Sequence, residues 1–82
     1  MDDKEIYNTL MNIKKSRRND VWPKVENLIR KHKLKMDEPK ELEKLGYVEK
    51  LKYDKSGYER IRLTERGEFF ILAYEKMISE EK

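Results

Sequence analysis

Eighty-two residues, 45 % charged and 37 % apolar with a net charge of +3, allow one domain with a small core, near the size at which burial alone only just holds a fold. With no cysteine there is no disulfide, no thiolate nucleophile and no cysteine zinc site. No apolar run approaches the ~20 residues of a membrane span and the opening Met-Asp-Asp-Lys-Glu has no signal-peptide core, so the expectation is a cytoplasmic protein with no membrane partner.

The first helix is predicted over residues 3–15, where Ile6, Leu10 and Ile13 recur at i, i+4 and i+7 as one buried stripe. Ser16-Arg17-Arg18-Asn19 is a polar break, and Asp20 is a suitable cap for a second helix over 21–33. Pro23 then falls in the first turn, where a missing amide does little harm. Val21, Val25, Leu28, Ile29 and His32 share a face, which gives the sole histidine a partly buried, structural place rather than a ligand or base role. Trp22 either lies against the first helix or stays part-exposed, and its indole N–H needs a partner if buried. Lys33-Leu34-Lys35-Met36 reads as a turn, with a candidate third strand near Lys35-Met36.

A third helix is predicted over 37–45, capped by Asp37, with Pro39 in its first turn and Gly46 where a helix stops in the left-handed conformation. Residues 47–53 and 58–63 are rich in aromatic and β-branched side chains, as strands are, and Asp54-Lys55-Ser56-Gly57 between them has hairpin-turn chemistry. Thr64 can accept from the unpaired amides of a last helix over 65–79. The expected fold class is α+β, mainly α with one small β-hairpin, in the order α-α-α-β-β-α, as a single domain over 1–82.

Leu42, Leu45-Gly46-Tyr47-Val48-Glu49 and Leu63-Thr64-Glu65-Arg66-Gly67 resemble the winged helix-turn-helix families, of which the MarR-like and PadR-like regulators are members. In those families the LxxLGYVE stretch ends the recognition helix and enters the first wing strand, and LTERG closes the wing and opens the last helix. The resemblance is strongest over 42–70 and reaches the first half only by topology. It implies a winged-helix domain and pairing of subunits through terminal helices. The third helix departs from the family pattern: Glu38, Lys40, Glu41, Glu43 and Lys44 surround Leu42 and Leu45, with no Arg, Asn or Gln to reach base edges. Lys40 and Lys44 are left as phosphate contacts.

Charge points the same way. From Lys14 to Lys35 nine Lys or Arg face two acids, an excess of seven, while the flanking segments are each acidic by two. Such asymmetry attracts phosphate backbones, or else it is a solvated helix face. The expected DNA-contacting residues are Lys14, Lys15, Arg17 and Arg18 around the first break, Lys40 and Lys44, and Lys52, Lys55, Arg60 and Arg62 in the wing. Lys24, Arg30, Lys31, Lys33 and Lys35 add charge along the second helix and its turn. In the wing the competing reading is charge-paired strands, with Glu49 and Glu59 offsetting the bases.

Tyr47, Tyr53 and Tyr58 read as cross-strand packing partners before they read as a stacking platform for single strands. Acid pairs such as Glu41/Glu43 and Glu80/Glu81 have no nucleophile or phosphate loop near them, and three glycines build no nucleotide cradle. No catalytic constellation, metal set or cofactor site is expected, and the protein is not expected to be an enzyme. The last helix carries Phe69-Phe70-Ile71-Leu72-Ala73-Tyr74, an apolar run that covers its whole circumference. One stripe is Phe70, Tyr74, Met77 and Ile78, a second Phe69, Leu72, Ala73 and Lys76. A homodimer through Phe70, Ile71, Tyr74, Met77 and Ile78 is expected, unless the first helix wraps the second face. The leading expectation is a small transcriptional regulator that contacts duplex DNA mainly through phosphates. The alternative is a winged-helix interaction module, an adaptor or inhibitor subunit, with a protein partner and no DNA.

Overall fold

The computed structural model describes residues 1–52 and 59–80. Tyr53, the expected turn at 54–57 with Lys55, Tyr58 and Glu81 lie outside the described residues, as does the side chain of Lys52. The element order is α1 (Asp3–Lys15), α2 (Val25–His32), α3 (Glu38–Lys44), β1 (Val48–Lys52), β2 (Glu59–Leu63) and α4 (Glu65–Glu80), the expected α+β layout.

α1 starts where Asp2 accepts from the Glu5 amide at 2.8 Å, and its acidic first turn and basic last turn suit the helix dipole. Its Ile6, Leu10 and Ile13 are all buried. The break that follows is not a helix cap. Arg18 and Val21 exchange both backbone hydrogen bonds, at 3.0 and 2.8 Å, around Asn19 (φ 49°) and Asp20 (φ 65°). Two central residues in the left-handed region make a tight two-residue hairpin turn, and Asn and Asp tolerate that conformation best.

The second helix therefore begins at Val25, four residues later than expected, with Lys24 as a cap that offers no side-chain bond. The reason is Pro23. A residue before proline is pushed out of the helical region, so Trp22 and Pro23 run extended instead. The Pro23 carbonyl accepts from the Ile61 amide at 3.1 Å, and Lys24 bridges Arg60, so this segment adds a rung beside β2. The third strand expected near Lys35-Met36 is absent, and Met36 is 82 % exposed. Val21 likewise leaves the expected core stripe and stands half-exposed.

Of the α2 stripe Leu28 is buried, and Val25 and Ile29 pack partly against the core. His32 is exposed, against the expectation of a partly buried place. It is the last residue of α2, and Lys33 (φ 54°) turns the chain away just beyond it. α3 starts after Asp37, but the Asp37 side chain makes no cap bond. Glu38 takes a structural part instead: its carboxylate accepts from Thr9 Oγ1 and from the Lys35 amide, each at 3.3 Å. It is therefore not one of the free acids expected on this helix. Gly46, at φ +83°, ends the helix as expected.

β1 and β2 pair antiparallel with Val48 opposite Leu63 and Lys50 opposite Ile61. Val48, Ile61 and Leu63 face the core. Glu49, Leu51, Arg60 and Arg62 therefore lie on the outer face. Arg62 pairs with Glu49, and Lys50 lies 3.9 Å from Glu59, as in the charge-paired reading of the strands. Tyr47 is not a cross-strand partner: it precedes β1 and meets Phe70, ring centroids 5.0 Å apart.

Thr64 joins the hairpin to α4. Its Oγ1 donates to the Gly46 carbonyl at 2.6 Å and accepts from the Gly67 amide at 3.1 Å, while its own amide donates to Tyr47. α4 then lies along α1, with Tyr74 stacked on Tyr7 at 4.6 Å and the Tyr7 hydroxyl donating to Glu75 at 3.0 Å. Ile71 is 1 % exposed and belongs to the core of its own chain, which corrects its place in an expected dimer surface. Phe70 and Tyr74 are half-buried by Tyr47 and Tyr7. The uncovered apolar side chains are Phe69 at 71 %, Leu72 at 62 %, Met77 and Ile78. No helix among the described residues is long and apolar enough to cross a membrane.

Candidate functional site

The extended segment, α2 and β2 together enclose an open groove of about 480 Å³. Three structural events build it. The tight turn at Asn19-Asp20 folds Arg18 back beside Val21. The Pro23–Ile61 hydrogen bond holds the segment against β2. Arg60 clamps the same segment, its guanidinium donating to the Trp22 carbonyl at 2.6 Å.

One face of α2 forms the wall, since Lys24, Asn27, Leu28, Lys31 and His32 follow helical spacing and all line the groove. Lys15 and Ser16 line it from the end of α1, Arg18 from the tight turn and Arg60 from β2. Val21, Trp22 and Pro23 supply an apolar floor beside Leu28. Among the described residues, five cationic side chains thus share one concavity and no carboxylate lines it.

Two acids close in sequence to the lining residues are engaged by other cations. Asp20 is held by Arg17 at 2.6 Å, and Glu26 by Arg30 at 2.7 Å. These exposed pairs contribute little to stability, but they take acids out of play near the groove. The end of α1 brings partial negative charge toward this site, about half a charge unit, which is small against the positive charge of Lys15, Arg18 and Lys31 alone. Part of it is already neutralised, because Ser16 Oγ and the Ser16 amide both donate to the Asn12 carbonyl, at 2.8 and 3.1 Å.

That bond also fixes a proton. Ser16 has one hydroxyl hydrogen and spends it on Asn12, so at 3.3 Å it can only accept from His32 Nε2. His32 therefore presents Nδ1 to other partners.

The structure sorts the expected contact residues into groups. Lys15, Arg18 and Arg60 come together at the groove. Arg17 lies over the Trp22 ring, 4.7 Å from its centroid, and pairs with Asp20. Arg62 is paired with Glu49 on the outer face of the hairpin. Lys14, Lys40 and Lys44 are exposed and do not line the groove, and the Lys52 side chain and Lys55 lie outside the described residues. Trp22, Asn27, Ser16 and His32 were missed as site residues, and Lys24 and Lys31 were noted only as charge. The spacing 24, 27, 31 was the available signal: three polar side chains on one face of a helix that puts Glu26 and Arg30 elsewhere.

Among the described residues no cluster of His, Asp and Glu could hold a metal ion. The chain matches no family model, no curated protein and no solved structure.

Proposed function

We propose that the protein is a small winged-helix DNA-binding regulator that grips duplex DNA mainly through its phosphates. The observation that carries this reading is the groove, whose lining among the described residues holds Lys15, Arg18, Lys24, Lys31 and Arg60 and no acid. Arg and Lys side chains around an apolar floor release counterions when they meet phosphate, and the resulting affinity is steep in salt and indifferent to sequence. The third helix supports backbone contact rather than base readout, since its exposed side chains are Lys40, Glu41, Glu43 and Lys44. Exposed Phe69 and Leu72, with Met77 and Ile78 beyond them, favour pairing of two copies through α4.

Fluorescence anisotropy on a random-sequence duplex tests the proposal. With about four phosphate contacts, affinity falls roughly a hundredfold between about 50 and 200 mM salt. The double variant Arg18→Glu/Lys31→Glu abolishes binding without unfolding the chain, as both side chains are exposed. A second reading, a protein-interaction module, rests on the same exposed α4 stripe and on the acidic α3. Duplex binding that is absent even at low salt would select it.

A further inference from the structure

We infer that His32 is a proton-gated contact to a backbone phosphate: its neutral ring offers the anion a bare lone pair, its protonated ring a charged donor, so the groove grips duplex DNA more tightly below neutral pH. This rests on the backbone-binding reading above and names a regulation of the same site.

Placement is the first argument. His32 is the last residue of α2, is exposed, and lines the groove beside Lys31 and one turn beyond Leu28. Lys33, at φ 54°, turns the chain away directly after it, so the helix does not continue over the ring. The chain holds one histidine and no cysteine, so His32 is its one side chain of a type that ordinarily changes charge between about pH 5 and 8. A phosphodiester keeps its single charge across that range.

Protons are the second. The hydroxyl hydrogen of Ser16 goes to the Asn12 carbonyl at 2.8 Å, so Ser16 Oγ accepts from His32 Nε2 at 3.3 Å. The neutral ring has only that one hydrogen, and Nδ1 is left as an acceptor. A phosphate oxygen is an acceptor too, and two acceptors repel. A second proton reverses this. Nδ1 gains an N–H and the ring a positive charge, while the Ser16 bond holds Nε2 in both states. The contact then becomes a charge-assisted hydrogen bond, one of the stronger kinds.

The charged groups that line the groove with His32 are Lys15 at the end of α1, Arg18 in the tight turn, Lys24 and Lys31 on either side of the α2 wall, and Arg60 on β2. Lys24 and Arg60 have partners of their own, Arg60 through the Trp22 carbonyl. Lysine and arginine are types that titrate well above this range, so Lys15, Arg18 and Lys31 supply the pH-independent part of the grip. A phosphate beside the imidazole favours its charged form. By linkage, binding and proton uptake then reinforce each other.

Fluorescence anisotropy on a random-sequence duplex, at fixed ionic strength and at about pH 5.5 and about pH 7.5, tests the inference. The parent chain binds roughly fivefold or more tightly at the lower pH, within what one charge-assisted hydrogen bond supplies. His32→Ala, which leaves the circular dichroism unchanged because the side chain is exposed, binds equally at both. Imidazole nitrogen NMR shifts of the free chain at the higher pH place the hydrogen of the neutral ring on Nε2. Binding that does not change with pH, or a pH dependence that survives in His32→Ala, overturns the inference and leaves the backbone-binding proposal standing. A neutral ring with its hydrogen on Nδ1 overturns it as well. If the duplex binds at neither pH, the backbone-binding proposal falls and the inference falls with it.

Discussion

Replacing Gly67 by alanine should destabilise this protein even though alanine is the better helix former. Gly67 lies in the first turn of α4, where alanine would ordinarily add up to about 1 kcal/mol. A Cβ at this position, however, would stand 2.2 Å from the Tyr47 carbonyl oxygen and 3.1 Å from its carbon. Normal contact requires a shift of about 1 Å, and inserting one carbon into a tight contact typically costs about 1–3 kcal/mol. The carbonyl cannot simply move away. It accepts from the Thr64 amide at 3.0 Å, and Thr64 in turn holds Gly46 and Gly67. Losing one such bond adds about 1 kcal/mol. The net loss is about 1–3 kcal/mol, which at about 4–8 °C per kcal/mol for a domain of this size lowers Tm by about 5–25 °C. Thermal and urea unfolding followed by circular dichroism measure it. An unchanged or raised Tm would refute the steric argument and leave propensity in control. Gly46→Ala is the contrasting case: its Cβ would find Arg66 Cδ at 3.5 Å, an ordinary contact, so only the φ of +83° opposes it. About 1–2 kcal/mol is expected there.

The same joint predicts that Thr64→Val loses about 1–2 kcal/mol in urea unfolding, because the Gly67 amide and the Gly46 carbonyl both lose a partner. Lys33→Gly should raise stability by up to about 1 kcal/mol, since Lys33 is held at φ 54° at the end of α2; a loss would show that its side chain has a role in the fold. Partial burial, then the hydrogen bond and charge of Glu75, push the Tyr7 phenol above its ordinary value of 10.0. The unfolded chain therefore loses this proton first, and the contribution of Tyr7 declines as pH rises from about 10 through the higher folded value. Tyr7→Phe should flatten that part of the stability profile, and a profile identical to that of the parent chain would remove Tyr7 as its cause.

Much of the fold was legible because its signals are local. Thr64 caps α4, Gly46 ends α3, and the stripe of Ile6, Leu10 and Ile13 marks α1, all within a few residues of sequence. The start of α2 was not legible in the same way. Pro23 fits the first turn of a helix and equally fits an extended segment, and the decision comes from Ile61, 38 residues away, which donates to its carbonyl. The inward stripe of α4 was ambiguous for a similar reason. A helix apolar all round shows no direction until Tyr7 and Tyr47 claim Tyr74 and Phe70. The groove was the least legible part, since α1, the tight turn, α2 and β2 all contribute to it. Only the spacing of Lys24, Asn27 and Lys31 was visible from one segment.

The docking of α1 on α4 has a consequence for how the chain acquires its structure. Tyr7 and Glu75 are joined across 68 positions, and the first helix finds its packing partner in the last. Contacts of such separation form late, because a long loop must close before they reward it. During synthesis at about 5–20 residues per second, α1 would leave the ribosome with its apolar stripe uncovered for several seconds before α4 follows. Its high charge then has a second use: it keeps an unfinished, sticky chain in solution until the two ends meet.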